Sequence, residues 1–315
     1  MIAVMRPFGE VVVSPFEVRH TDSELSELAR RLKSLNGETR VVMEATGNYH
    51  APVAKLLHDA GLYVSVVNAK LVHGYGNNDL RRVKTDRKDA VKLANYGLDR
   101  WLTLPRYVPE ENTRLLLKNC YRQYRQYSKV QTVLKNNLIS LLDMTFPNAN
   151  RLFVSPARAD GSEKWVDFVA EFWHCECVSE RSLKSFVNKY WRWCRKHGYN
   201  FSEEKAHAIY DEASGHIGVM PKSETTKLLV EQAVSQLSAT SAALAALKQE
   251  MQSLSSQLPE YPVVMGMFGV GPILGPQLIA EIGDVRRFYS KKALVAYAGI
   301  DAPPNDSGDV IGRHK

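Results

Sequence analysis

The sequence predicts an α/β block followed by long helices, divided over two or three domains. Three observations carry this. Short apolar strands alternate with single amphipathic helices over the first hundred residues. Apolar residues then recur at alternating spacings of three and four along two long stretches. And 315 residues, 44% apolar and 24% charged, are enough for more than one core.

The elements follow in order. Ile2 to Met5, a turn at Pro7 and Gly9, and Val11 to Val13 read as a β-hairpin. Thr21 or Asp22 caps a helix carrying Leu25, Leu28 and Leu32, with Gly37 past its end. Arg40 to Ala45 is a buried strand, Ala51 to Ala60 a helix closed by Gly61, Tyr63 to Val67 a strand and Asp86 to Tyr96 a helix. Strands separated by single helices predict one mixed sheet covered on both faces, within a domain spanning residues 1–105.

Residues 106–148 form a first long helix with the seam Leu117, Cys120, Tyr124, Tyr127, Gln131, Leu134, Leu138 and Leu141. Residues 223–258 form a second, with Val230, Ala233, Leu237, Thr240, Leu244, Leu247, Met251, Leu254 and Leu258. Heptads do not identify their partner, so the two seams either pair within the chain or serve as a dimerisation arm. Between them, residues 149–222 hold four of the five tryptophans: Trp165, Trp173, Trp191 and Trp193. That composition fits a helical insertion with an aromatic core, or a set of base-stacking platforms. The last segment, 259–315, contains MFGVGPILGPQLIAEIGD, the pattern of a helix-hairpin-helix turn. Gly269 and Gly271 would let backbone N–H groups approach a phosphate, unless they simply make a tight turn between packed helices.

Composition excludes several classes. Four cysteines make no secreted disulfide framework and no signal segment opens the chain, which points to a reduced, cytoplasmic protein. The longest apolar run, 263–280, is broken by glycines and prolines and does not read as a membrane span. The net charge of +7 permits nucleic acid as a partner. Between Lys70 and Lys135 there are 15 Lys/Arg against 6 Asp/Glu, so the whole excess lies in this stretch. Lys84, Arg87, Lys88, Arg122 and Arg125 are candidate phosphate contacts there, against the alternative of solvated helix faces.

Three carboxylates could carry chemistry. Glu44 ends an apolar strand, where ligands of α/β sheets bind. Asp86 and Asp89 are one helical turn apart and share a face. Convergent carboxylates hold Mg²⁺, and two such ions clamp the attacking and leaving oxygens of a phosphodiester. The alternative is that Thr85 or Asp86 caps the helix while Asp89 favours its positive end. His174, Cys175, Cys177, Cys194 and His197 lack standard zinc spacing. Ser307, in PPNDSGD, is by local pattern a turn serine.

VVMEATGNYHAPVAKLLHDAGLYVSVVNA with KTDRKDAVKLA, and later MFGVGPILGPQLIAEIGDVRRFYSKKALVAYAGIDAPPNDSG, resemble the two ends of the DEDD transposases of the insertion-sequence-110 family. The resemblance covers residues 1–145 and 225–315 and leaves the tryptophan-rich middle without a counterpart. It implies a bacterial, nucleoid-associated protein with an RNase H-like first domain, similar to Holliday-junction resolvases. Glu44, Asp86 and Asp89 would be the second to fourth members of an acidic tetrad binding two Mg²⁺ ions. Ser307 would be a serine nucleophile that links covalently to DNA. A metal-dependent resolvase-like nuclease and a non-catalytic nucleic-acid-binding remnant are the alternatives. DNA, a structured guide RNA and further copies of the chain, as a dimer or tetramer, are the implied partners. The family's first Asp has no equivalent on a strand here, and its basic helical stretch after the serine is absent. The expectation is therefore a chain truncated at both ends, with a partial C-terminal domain.

Overall fold

The computed structural model describes residues 1–75, 85–216 and 218–300. Two compact units are present, Met1–Glu110 and Glu111–Lys315. None of the described helices is long and apolar enough to cross a membrane.

In the first unit, β1 (Ile2–Arg6) and β2 (Glu10–Phe16) form an antiparallel hairpin. The turn between them includes Phe8 at φ 68° and Gly9 at φ 81°. Thr21 caps α1 (Asp22–Lys33), its hydroxyl accepting from the Glu24 N–H. Then β3 (Arg40–Glu44), α2 (His50–Asp59) and β4 (Tyr63–Val67) make a βαβ unit, with β3 and β4 parallel and Arg40 paired with Tyr63 through to Glu44 with Val67. A short α3 (Ala69–Gly74) and the longer α4 (Asp86–Asp99) complete the unit.

The expected single mixed sheet is not what forms. β1–β2 and β3–β4 are separate two-stranded sheets, and a cavity of about 1130 Å³ is lined by both, including Ile2, Val4, Val42 and Glu44. Apolar alternation shows that each strand is buried. It carries no information about which strands exchange hydrogen bonds. What links the sheets is α4, which packs against the hairpin and against β3.

Strand alternation divides β3 and β4 between two cores. Val41, Met43 and Val64 face Leu25, Leu28 and Leu32 of α1 and Ala54 and Leu57 of α2. Val42, Tyr63 and Val67 face the other way, onto Leu93 and Tyr96 of α4.

The second unit is built on two long helices, α5 (Asn112–Thr145) and α10 (Glu224–Ser256). Leu138 and Leu142 share a core with Val230, Ala233 and Leu237, whereas Leu117 shares one with Met251, Leu254 and Leu258. The two seams therefore pair antiparallel within the chain. Two positions differ from the expected seam. Ser241, 5% exposed, takes the buried place assigned to Thr240, and Leu142, 1% exposed, lies deeper than Leu141. The reason at Ser241 is chemical: Gln131 donates to its hydroxyl at 2.8 Å, while Thr240 bonds back to Gln236 in its own helix. Gly161 lies against this point with φ +85°; a Cβ there would stand 2.4 Å from the Ser241 carbonyl oxygen.

Between the long helices lie α6 (Lys164–Glu171), α7 (Glu176–Ser179), α8 (Leu183–His197) and α9 (Glu203–Gly215). Trp165, Trp173 and Trp193 are buried, the last among Phe153, Phe168, Phe172, Tyr190 and Tyr199. These three form core and do not present faces for bases; Trp191 alone of the four is exposed, under Arg195. The segment enters and leaves at one place, since the Val219 and Met220 N–H groups both donate to the Met144 carbonyl.

At the opposite end, α11 (Tyr261–Met265), α12 (Leu274–Ile282) and α13 (Lys291–Tyr297) follow α10. Arg114 of α5, 5% exposed, makes a two-pronged ion pair with Glu260 and also donates to the Gly283 carbonyl at 3.4 Å. The Arg114 hydrogen bond holds the Glu260 carboxyl below the usual glutamate range. Because the folded value is depressed, the pair stabilises above the unfolded Glu value and loses that contribution as pH falls.

Arg114→Met should destabilise the chain by about 3 kcal/mol, measured by denaturant unfolding, because Glu260 is left enclosed and unpaired. Acidification from about pH 4.3 downward should lower the melting temperature of the native chain more steeply than that of Glu260→Gln, which has no carboxylate to protonate.

Candidate functional site

In the first unit Glu44 ends β3, and Asp86 and Asp89 stand in the first turn of α4. Glu44 is the last residue of β3 and has the same parity as Val42, so it faces the side covered by α4. The direction of α4 is fixed at two points. The Arg40 guanidinium, at the start of β3, donates to the Trp101 carbonyl and lies 4.4 Å from the Trp101 ring. Two residues along the strand, Val42 meets Gly97, where a Cβ would come within 2.8 Å of Cγ2. Helix and strand therefore run antiparallel. The same stride sets Glu44 level with Leu93, with Asp89 about 6 Å and Asp86 about 10 Å further along the helix.

The close approach at Gly97 has a counterpart on the strand. Ser65, level with Val42 in the parallel register, is fully buried on the same face and is small. Its Oγ has no hydrogen-bond partner among the described residues.

The capping question resolves in favour of Thr85. Its hydroxyl accepts from the Lys88 N–H at 3.3 Å and its carbonyl from the Asp89 N–H. Asp86 and Asp89 stand exposed in the first turn, where the positive helix end favours them. Neither carboxylate, nor that of half-buried Glu44, makes a hydrogen bond or ion pair with another described residue. These are hard oxygen donors of the kind a divalent ion takes. Among the described residues, no three His, Cys, Asp or Glu side chains stand together as a ready cage.

Arg87 and Lys88 are exposed in the same turn as the two aspartates. Lys84 and Ser307 lie outside the described residues. In the second unit, Arg122 and Arg125 are exposed on α5, Arg125 lying over the Tyr121 ring. Gly269, at φ +79°, and Gly271 stand between α11 and α12 with open space where a Cβ would project. The two flanking helices and the glycine turn are present. The first of those helices has only five residues.

Sequence reasoning misses His50. It opens α2, six residues after Glu44, and lines the same cavity. Its Nδ1 is enclosed with no partner among the described residues. The signal lies in the run MEATGNYH, where a titratable ring starts the helix that follows the strand-end carboxylate. The His174, Cys175, Cys177, Cys194 and His197 set is structural. Buried His174 has its Nε2 3.0 Å from the Met220 carbonyl and its Nδ1 accepts from the Glu176 N–H, while the thiols are free.

A transposase family model of the DEDD, IS110 type matches residues 1–147, and one described as transposase, IS116/IS110/IS902 family, matches residues 261–315. Pilin gene-inverting proteins of Moraxella bovis and Moraxella lacunata are each 27% identical over 134 residues, covering 42% of this chain and 38% of theirs. The chain thus spans well under half the length of these relatives. An uncharacterized 44.8 kDa protein of insertion element IS116 from Streptomyces clavuligerus is 24% identical over 279 residues, covering 88% of this chain and 67% of its own.

Gly97→Val should push α4 off β3 and destabilise the first unit by roughly 1–3 kcal/mol, read from denaturant unfolding of the chain. Unaltered stability would show that the helix does not sit this close.

Proposed function

Since the chain belongs to the IS116/IS110/IS902 transposase family, we propose that it is a DNA recombinase of a mobile element. It cuts and rejoins DNA strands at an RNase H-like carboxylate site. One argument supports the reading: strand parity and helix spacing put Glu44, Asp86 and Asp89 on the side of β3 that α4 covers, and none of the three has an ion-pair partner among the described residues.

Mg²⁺ commonly binds through one or two carboxylates together with substrate phosphates, so a complete protein cage is not required. Bound at these residues, the ion supplies charge neutralisation and polarises a phosphodiester. Arg87 and Lys88, beside the aspartates, draw the phosphate backbone to that end. Lys84 adds a further basic residue by its place in the sequence, and Arg122 and Arg125 are candidate phosphate contacts on α5 in the second unit. The turn at Gly269 and Gly271 offers backbone N–H groups to a phosphate.

Ser307 is assigned as nucleophile from its sequence position. Its Oγ attacks the scissile phosphorus and gives up its proton; one DNA end becomes esterified to the serine and the other leaves as a hydroxyl. Attack by another DNA hydroxyl reverses the linkage, so rejoining requires no nucleotide cofactor. A structured RNA as guide, and two or more copies of the chain completing each site, belong to the same proposal. The name of the pilin gene-inverting relatives supports recombination over simple hydrolysis.

Asp86→Asn should reduce strand transfer to background while duplex binding is retained, compared by gel-based joining and anisotropy. Equal loss of binding would make the residue structural. Ser307→Ala should remove the covalent protein–DNA adduct trapped by denaturing electrophoresis. Mg²⁺-dependent cleavage by the native chain without any adduct would favour a hydrolytic nuclease.

A further inference from the structure

The insertion between α5 and α10 lies outside both family matches. Its charges nearly balance, with 11 Lys/Arg against 10 Asp/Glu over residues 149–222. The charges are nevertheless sorted in space. Arg158, Lys164 and Lys205 come from three separate segments and converge on two rings. Arg158 lies 3.9 Å from the Tyr199 centroid, Lys164 lies 4.9 Å from Phe153 and 5.0 Å from Tyr199, and Lys205 lies 5.7 Å from Phe153.

None of the three has a carboxylate partner within ion-pair distance among the described residues. Arg158 donates to the His197 and Gly198 carbonyls, and Lys164 to the Asn200 carbonyl at 3.5 Å. Of the neighbouring acids, Asp160, Glu163 and Asp167 are engaged elsewhere. Asp160 accepts from the Ser162 N–H and hydroxyl. Glu163 is paired with Lys135 and accepts from the Trp165 indole. Asp167 accepts from the Tyr199 hydroxyl at 2.5 Å. Glu203 and Glu204 precede Lys205 on α9, with Glu203 4.0 Å from His207.

Helix geometry adds to the imbalance. Lys164 opens α6 and Lys205 lies in the first turn of α9, so both ammonium groups stand at positive helix ends, where anions are favoured. Burial first, and then the charges of Lys205 and Arg158, push the Lys164 ammonium below the ordinary lysine range. Three cations with no ion-pair partner among the described residues are thus held together over aromatic faces. Each retains unused N–H donors.

We propose that Arg158, Lys164 and Lys205 form a second DNA-contact surface, separate from the carboxylate site, which binds the phosphodiester backbone. The choice of DNA over another polyanion rests on the transposase reading. Contacts to phosphate alone carry no sequence preference, so this surface adds affinity and leaves target choice elsewhere.

The test is anisotropy titration of the whole chain against a labelled duplex over a range of salt. Arg158→Gln/Lys164→Gln/Lys205→Gln should weaken binding roughly tenfold or more and flatten the salt slope by about 2–3, close to one for each phosphate that is no longer neutralised. Removing the same charge from exposed Arg181, Lys184 and Arg192 should cost much less. A triple variant with native melting temperature and native affinity, or one no weaker than the control, overturns the proposal. If the triple variant does not fold, Lys205→Gln decides, because its ammonium makes no hydrogen bond among the described residues. Its slope should fall by about 1, and an unchanged curve overturns the proposal. Loss confined to an RNA duplex of equal length overturns the choice of DNA. Failure of the native chain to bind DNA at all would count against the transposase reading, whereas equal binding by native and variant chains sinks only this surface.

Discussion

The antiparallel pairing of α5 with α10 is the constraint on which the second unit depends. Each end of the pair anchors a different body. At one end Leu138 and Leu142 merge with the aromatic core of the insertion; at the other Leu117 meets Met251, Leu254, Leu258, Ile279 and Ala280. The middle holds the polar contact of Gln131 with Ser241 and the backbone approach of Gly161. A seam made only of leucine would tolerate sliding by a heptad. A half-buried amide that finds its hydroxyl in one register does not. The Arg114–Glu260 pair then ties the base of α5 to the segment after α10.

The first unit works by a comparable close fit. Helix α4 lies close against β3. Gly97 against Val42, with buried Ser65 alongside, makes that approach possible. Among the described residues, no group pairs with the carboxylates of Glu44, Asp86 and Asp89. Helix and strand pack closely here, while the candidate carboxylates stand exposed or half-exposed at their edge.

Much of the local structure is legible in the sequence because it is governed by short-range rules. Thr21 and the pattern of Leu25, Leu28 and Leu32 define α1, and β4 runs from Tyr63 to Val67 as read. The seam residues on both long helices identify the pair, and the structure resolves the choice between a chain-internal partner and a dimer arm. Sheet connectivity is not legible, since the two strand pairs remain apart around a cavity that no periodicity announces. The exchange of Thr240 for Ser241 depends on a side chain 110 residues away in sequence. For the site, parity places Glu44 and helical spacing places the aspartates together, but the direction of α4 comes only from the Arg40–Trp101 and Val42–Gly97 contacts. His50 escapes sequence reasoning because an enclosed ring nitrogen is a property of packing.

The hydrogen bonds from Val219 and Met220 to the carbonyl of Met144 bring the two ends of the inserted segment together. A loop whose ends already touch imposes almost no length requirement on what lies between, because closure entropy grows only with the logarithm of its size. The tip of this helical hairpin therefore accepts segments of very different length, provided that each still covers the buried face of Leu138, Leu142 and Val230.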